Sequence, residues 1–248
     1  MGSPEVLPAP PALADIARDA PVSLFLDFDG TLVDIADRPE LIEVPDYLAK
    51  RLLRLTDALD GRLAIVSGRS IADLHRHIAD IPIAFAGSHG LEVRLSDGTL
   101  ASRSGGRVSD EVFEELRGLV ARNEGLSLET KSLGAAIHYR AAPQLQDEVV
   151  IAATTLADHH GLAIKRGKCV VEILPHGGSK ASAVRAFMQR DPFAGSVPVF
   201  VGDDVTDEDG FVAAREHAGF GIAVGERNSR AARYRLASPA AVRAWCGL

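Results

Sequence analysis

The chain of 248 residues is 46% hydrophobic and 25% charged, and its formal net charge is −7. This balance is typical of a soluble globular protein with a sizeable core, and the negative charge argues against nucleic acid or an anionic membrane surface as a partner. A small anionic substrate remains compatible, because lysines, arginines or a metal ion can reverse the field inside a cleft. Neither Cys169 nor Cys246 has a metal-ligand or redox spacing.

Residues 1–20 contain several prolines and predict a loose tail with at most one short helix. The segment lacks the basic and apolar regions of a secretion signal, and no apolar run along the chain reaches the length of a membrane span. We therefore expect a cytoplasmic protein without a membrane partner.

Strands and helices alternate in the first part of the chain and again in the last. The spacing of apolar residues predicts, in order, strand 22–26, helix 47–59, strand 62–66, a short helix after Ser70, strand 83–86, and later helix 180–189, strand 197–201, helix 206–217 and strand 219–224. This alternation predicts an α/β fold with a parallel sheet and right-handed crossovers.

The pattern differs between these two parts, where strands outnumber helices. A turn at 96–98 indicates a hairpin of residues 91–94 and 99–102, followed by helices 110–123 and 144–160 and by strands 126–130, 135–140, 162–165 and 169–174. Each helix has one apolar face, as a helix packed on a sheet would. We therefore expect a discontinuous α/β core, residues 21–90 and 175–248, with an inserted α+β unit, residues 91–174.

Two carboxylates follow the first predicted strand, in the run Asp27-Phe28-Asp29-Gly30-Thr31-Leu32. A period of two puts Asp27 and Asp29 on one side of the strand, at the sheet edge where ligands of open α/β sheets bind. Two like charges this close need a cation or a shared proton. The pair therefore indicates a metal-assisted nucleophile and an acid/base.

Three further motifs each lie at a strand end or a helix start: Ser67-Gly68-Arg69, Ser179-Lys180 and Gly202-Asp203-Asp204-Val205-Thr206-Asp207-Glu208. Together with the first motif they resemble, in type and order, the haloacid-dehalogenase superfamily of phosphotransferases. The resemblance implies a Rossmann-like haloacid-dehalogenase core with the inserted unit as a cap. A calcium-binding loop is the weaker alternative, because the twelve-residue ligand spacing is missing.

The resemblance also implies roles for the motif residues. Asp27 would attack the phosphate and form an aspartyl-phosphate, and Asp29 would protonate the departing oxygen and later activate water. Ser67 would donate a hydrogen bond to a phosphoryl oxygen. Lys180 would add a fixed positive charge and orient Asp27.

Mg²⁺ is the expected cofactor, because a hard cation with oxygen ligands can neutralise phosphoryl oxygens. Asp27, the backbone carbonyl of Asp29 and the carboxylate of Asp203 would hold it. Asp204 or Asp207 would complete the outer shell, and Asp207 could also anchor Lys180.

The inserted unit is rich in polar residues on neighbouring predicted strands: Glu129, Lys131, His138, Tyr139, Arg140, Lys168 and Glu172. A period of two puts His138 and Arg140 on one face, and Lys168 and Glu172 on one face. Donors and acceptors side by side suit the hydroxyls of a sugar. An exposed sheet face with ordinary charge pairs is the alternative.

Cap and core motifs together resemble bacterial trehalose-6-phosphate phosphatases, from about residue 22 to 245. Besides the core motifs above, the stretches concerned are His89-Gly90 in the core and, in the cap, Leu128-Glu129-Thr130-Lys131, His138-Tyr139-Arg140 and Gly167-Lys168-Cys169-Val170-Val171-Glu172. This resemblance implies Mg²⁺-dependent hydrolysis of trehalose 6-phosphate. Lys168 and Glu172 would bind sugar hydroxyls, and Lys131, His138 and Arg140 would orient the disaccharide. His89 would contact the sugar or make a loop hydrogen bond.

Three other functions stay open at this point: a phosphatase of another sugar phosphate, such as sucrose phosphate, a phosphomutase that returns the phosphoryl group to a sugar, and a sugar-phosphate sensor without turnover. We expect a monomer that binds a small sugar phosphate and no nucleic acid.

Overall fold

The computed structural model describes residues 7–36, 41–103, 108–131, 133–167 and 169–248, without the side chains of 101–103. The chain divides into two compact units. The larger unit comprises Met1–Arg103 and Ser179–Leu248, and the smaller unit is Ser104–Gly178.

The elements follow one another in three stretches. The first stretch of the larger unit contains α1 (Leu13–Asp19), β1 (Val22–Leu26), α2 (Leu48–Ala58), β2 (Leu63–Val66), α3 (Ile71–Ile78), β3 (Ala84–Gly87), β4 (Glu92–Arg94) and β5 (Leu100–Arg103). The smaller unit contains α4 (Asp110–Arg122), β6 (Ser127–Thr130), β7 (Ala135–His138), α5 (Gln146–His160), β8 (Ala163–Gly167) and β9 (Val170–Leu174). The chain returns to the larger unit with α6 (Lys180–Met188), β10 (Val197–Gly202), α7 (Asp207–Glu216), β11 (Phe220–Val224), β12 (Ala232–Leu236) and α8 (Pro239–Cys246).

The sheet of the larger unit has the order β12-β11-β10-β1-β2-β3-β4-β5. Strands pair in parallel from β12 to β3, as the alternation of strands and helices predicts. The order reverses at β1, which lies between β10 and β2. Such a switch point opens a crevice at the carboxyl ends of the strands, where ligands of α/β sheets bind.

The hairpin of β4 and β5 lies in this sheet rather than in the inserted unit, where the sequence analysis placed it. β4 pairs antiparallel with β3, with Gly87 opposite Glu92. Only residues 88–91 separate the two strands. A link this short cannot make the crossover of a parallel pair, so the chain turns back beside β3.

β1 is buried on both faces of the sheet, which explains its unbroken apolar sequence. Leu24 and Leu26 belong to one hydrophobic cluster, and Phe25 belongs to the cluster on the other face. The Phe25 ring packs on Phe187 and Phe193, with centroid distances of 5.8 and 5.6 Å. Close packing of this kind holds the strand rigidly, and with it the residues that follow Leu26.

The smaller unit is a one-sided antiparallel sheet in the order β6-β7-β9-β8. Ile137, Val171 and Ile173 point to one face and join one apolar cluster with α4 and α5, while His138 and Glu172 occupy alternate positions. The opposite sheet face therefore carries the polar residues of this unit.

The described part of the N-terminal segment is packed and not a loose tail. The indole Nε1 of Trp245 donates to the carbonyl of Pro11 at 2.8 Å, and the Arg235 amide donates to the carbonyl of Pro8 at 2.9 Å. Leu13 is buried in the core cluster. Among the described residues, every helix is too short or too polar to cross a membrane.

Candidate active site

The first carboxylate of the site, Asp27, lies directly after β1 and is only 4% exposed. Its backbone amide continues the sheet pairing by donating to the Val201 carbonyl at 2.9 Å. The side chain accepts hydrogen bonds from Lys180 Nζ at 2.7 Å and from Thr31 Oγ1 at 3.3 Å. Both the position of the Asp27 backbone and the rotation of its carboxylate are therefore fixed.

Lys180 is a buried cation between two carboxylates. It begins α6, whose N-terminus is capped reciprocally by Ser179 and Ser182. Its Nζ lies 2.7 Å from Asp27 Oδ1 and 2.6 Å from Asp207 Oδ1. Burial alone would lower the pKa of Lys180, but the charges of Asp207 and Asp27 outweigh it and raise the pKa. The ammonium group therefore stays charged.

Carboxylates outnumber this cation, and they lie close together. Asp27, Asp203 and Asp207 offer oxygens within 4.8 Å of one another. Burial, together with the negative charge of Asp207, raises the pKa of Asp203 to about 6. Burial also raises the pKa of Asp27 well above its ordinary value, against the opposing effect of Lys180. A hard divalent cation with oxygen ligands fits this excess of negative charge.

Within this group, Asp207 acts as an anchor. Its Oδ1 accepts from Lys180, and its Oδ2 accepts from the backbone amide of Asp204 at 2.8 Å. The residue is fully buried. Asp207 thus ties the loop after β10 to Lys180, an anchoring that the sequence analysis raised beside an outer-shell role.

Glycines allow these carboxylates to approach the backbone closely. A Cβ atom on Gly30 would lie 2.2 Å from Asp203 Oδ2, and the φ of Gly30 is +76°. A Cβ atom on Gly202 would lie 2.2 Å from Asp207 Cγ. Any larger residue at these positions would displace a carboxylate of the site.

Asp29 is bound by Arg69 through two parallel hydrogen bonds. Nε of Arg69 lies 2.7 Å from Asp29 Oδ2, and a terminal nitrogen lies 2.8 Å from Oδ1. The same guanidinium donates to Asp73 at 2.7 Å. The prediction that Asp27 and Asp29 share one side of the strand is wrong, because β1 ends at Leu26 and the chain then turns.

Ser67 and His89 lie beside each other in neighbouring loops. Ser67 is 1% exposed, and its Oγ accepts the Arg69 amide at 3.1 Å, which leaves the hydroxyl proton available for donation. The His89 amide donates to the Ser67 carbonyl at 3.0 Å. A Cβ atom on Gly68 would lie 2.8 Å from the His89 ring.

In the smaller unit, the structure brings several predicted residues onto one sheet face. Glu129 and Glu172 lie on either side of Ala136 in neighbouring strands, and so on the same face of the sheet. Each of the two glutamates has a side-chain partner. His138 Nε2 lies 2.8 Å from Glu129 Oε2, and Lys131 donates to Glu172.

One predicted residue of this unit falls outside that sheet face. Arg140 lies in an exposed turn, because β7 ends at His138 and not at residue 140 as predicted. Lys168 lies outside the described residues.

Local spacing in the sequence predicts no role for Arg69. Its motif was noted, but the pairing with Asp29 joins residues 40 positions apart and is invisible in local spacing.

The fold resembles solved structures over nearly the whole chain. A haloacid dehalogenase-like hydrolase from Bacteroides thetaiotaomicron superposes with a TM-score of 0.63 at 17% identity, over 91% of this chain and 98% of the other. A trehalose-6-phosphate phosphatase related protein superposes with a TM-score of 0.77 at 26% identity, over 91% and 95%. The fold is that of the haloacid-dehalogenase-like hydrolases.

The sequence specifies the family more narrowly. Residues 25–240 match the trehalose-phosphatase family. The trehalose-6-phosphate phosphatase of Escherichia coli K12 is 38% identical over 223 residues, 89% of this chain and 84% of the relative. A probable trehalose-phosphate phosphatase of Sinorhizobium fredii is 39% identical, over 82% and 77%. This chain belongs to the trehalose-phosphatase family and is an enzyme of the phosphoric monoester hydrolase type.

Replacing Gly30 by Ala tests the contact with Asp203. We expect Gly30→Ala to lower phosphatase kcat about 100-fold, because a displacement of about 1 Å at a reacting centre costs that much. Gly98→Ala is the matched control, since Gly98 has a φ of +87° and no neighbouring atom within 4 Å. Both variants should lose stability in thermal unfolding, but equal activities would refute the contact argument.

Proposed function

We propose that this chain hydrolyses trehalose 6-phosphate to trehalose and phosphate, using Mg²⁺ and an aspartyl-phosphate on Asp27. The observation that carries the proposal is the buried arrangement of Lys180 between Asp27 and Asp207, beside Asp203. The names of the relatives from Escherichia coli and Sinorhizobium fredii support the choice of substrate.

Positive charge is the first requirement of the reaction, because a phosphate monoester repels an attacking carboxylate. Lys180 supplies one fixed charge. Asp27, Asp203 and the backbone carbonyl of Asp29 would hold Mg²⁺, with Asp204 in the outer shell. The cation, when bound, neutralises phosphoryl oxygens and so stabilises the charge of the transition state.

Asp27 is the proposed nucleophile. A carboxylate oxygen attacks phosphorus, the bond from phosphorus to the sugar oxygen breaks, and the phosphoryl group stays on Asp27. The hydrogen bond from Lys180 holds the carboxylate in one rotation during the attack. Ser67 donates a hydrogen bond from its hydroxyl group to a phosphoryl oxygen.

Asp29 is the proposed acid and base. It gives a proton to the departing sugar oxygen, and it then accepts a proton from the water that attacks phosphorus. In that second step the bond from phosphorus to Asp27 breaks, phosphate leaves, and the Asp27 carboxylate is restored. The two hydrogen bonds from Arg69 occupy both of its oxygens. One lone pair on each oxygen is used in this way, so the other lone pairs stay available to a sugar oxygen or a water molecule.

The polar sheet face of the smaller unit is the proposed binding surface for the sugar. Glu172 and Lys131 offer an acceptor and a donor side by side, as do Glu129 and His138. We infer that sugar hydroxyls bind here, with Arg140 and Lys168 as additional donors.

The first test of this function is phosphate release from trehalose 6-phosphate with Mg²⁺ and with EDTA. We expect release that requires Mg²⁺ and exceeds release from glucose 6-phosphate and sucrose 6-phosphate, and no release by Asp27→Asn. Equal release with EDTA would contradict the metal requirement. Preference for another sugar phosphate would overturn the substrate, and transfer to a sugar without free phosphate would indicate a mutase.

Asp29→Asn tests the acid role through the leaving group. The variant should lose about 100-fold or more in kcat on trehalose 6-phosphate, since general acid catalysis contributes about 10² to 10⁴. On p-nitrophenyl phosphate the loss in the aspartyl-phosphate step should be much smaller, because p-nitrophenolate leaves without a proton. We would measure this step as the pre-steady-state burst of p-nitrophenolate. Equal losses on both substrates would exclude the acid role.

Glu172→Gln tests the sugar-binding surface. We expect KM for trehalose 6-phosphate to rise about tenfold or more, as the loss of a hydrogen bond to a charged group predicts. Activity on p-nitrophenyl phosphate should be unchanged, because that substrate has no sugar. Glu114→Gln on the exposed surface of α4 is the control within the same unit. An unchanged KM for Glu172→Gln would remove this residue from the sugar site.

A further inference from the structure

Arg227 holds the loop that follows β10, although it lies 24 and 23 positions beyond the Asp203 and Asp204 residues that it contacts. Its Nε donates to the carbonyl of Asp203 at 3.0 Å. One terminal nitrogen donates to the carbonyl of Asp204 at 2.9 Å and to Glu208 Oε1 at 2.8 Å. The planar guanidinium thus binds two successive carbonyl oxygens and a carboxylate.

Glu208 fixes the other side of this contact. Its Oε2 accepts the backbone amides of Arg230 and Ala231, at 3.1 and 3.0 Å. The carboxylate therefore joins the first turn of α7, the Arg227 side chain and the segment that leads into β12. We call the ion pair and these hydrogen bonds the Arg227–Glu208 brace.

The brace acts on the proposed cation site through the backbone. With the carbonyls of Asp203 and Asp204 held, the peptide group between these residues has a fixed orientation. That peptide group contains the Asp204 amide, which donates to Asp207 Oδ2. Asp207 in turn holds Lys180, and Lys180 holds Asp27.

Electrostatic repulsion between neighbouring carboxylates is the force that the brace opposes. Asp203 lies close to Asp207 and Asp27, and oxygens of the three carboxylates lie within 4.8 Å of one another. Without a cation, mutual repulsion favours an outward movement of the loop. On one side Gly30 lies against the Asp203 carboxylate, and the brace restrains the backbone of the same residue.

We propose that Arg227 is a positioning residue for the divalent cation: it sets the affinity of the site by holding the Asp203 and Asp204 peptides, without contact to cation or substrate. The inference rests on the proposed function, because it concerns the same cation. Residues that orient metal ligands from outside the coordination shell typically change metal affinity 10- to 100-fold when mutated.

The test is a direct titration of the full-length, metal-free protein with Mn²⁺, with free Mn²⁺ measured by electron paramagnetic resonance. We expect Arg227→Met to raise the Kd about 10- to 100-fold, and Arg227→Lys to give a smaller increase. In activity assays, the Mg²⁺ concentration for half-saturation should rise by a similar factor, while kcat at saturating Mg²⁺ stays near that of the wild type.

Arg185→Met is the matched control. Arg185 also pairs with a glutamate of α7, Glu216, through two bonds of 2.8 Å at the opposite end of that helix from Asp207. This variant loses the same type of ion pair and should keep the Kd of the wild type.

The possible outcomes separate this inference from the proposed function. If Arg227→Met and Arg227→Lys both bind Mn²⁺ as tightly as the wild type, the positioning role is wrong. If Arg227→Met does not fold, the Kd of Arg227→Lys decides alone. If the wild type binds no Mn²⁺, the cation requirement of the proposed function fails, and the inference fails with it.

Discussion

The arrangement on which the site depends is one buried ammonium group between two carboxylates. Without Lys180, the Asp27 and Asp207 carboxylates would be buried charges with no cationic partner. Breaking a buried ion pair in this way typically costs about 3–5 kcal/mol. The end of β1, the start of α6 and the start of α7 must therefore meet at one point. Distant parts of the chain are joined in this way, although the inserted unit separates them in sequence.

The elements nearest this point were predictable from the sequence. The apolar runs of β1 and β10 end in carboxylates, and Ser179 is an N-cap immediately before Lys180, so local pattern and chemistry agree. The likeness to known families then supplied roles that spacing alone could not. An anchoring of Lys180 by Asp207 was also expected from the sequence.

Contacts between residues that are distant in the sequence were not predictable in the same way. The turn of the β4–β5 hairpin was visible, but its pairing with β3 depends on strand neighbours that a single sequence does not reveal. The same limit applies to Arg69 on Asp29 and to Arg227 on the loop after β10. Arginines form such pairs across the fold, so sequence separation carries no signal for them.

In the proposed sugar site, the polar groups on the sheet face of the smaller unit already have partners. Lys131 donates to Glu172, and the His138 ring lies within hydrogen-bond distance of Glu129. A ligand gains from this surface only if its hydroxyls replace those partners well, because a poor match leaves a charged group without a hydrogen bond.

The contact between Gly30 and Asp203 also limits how the sequence can change. A side chain at position 30 and a carboxylate at position 203 compete for the same volume, although 173 residues separate them. Substitutions at the two positions should therefore be strongly non-additive. In a randomised library, we expect acceptable residues at position 30 to depend on the residue at 203, so that the two positions must be varied together.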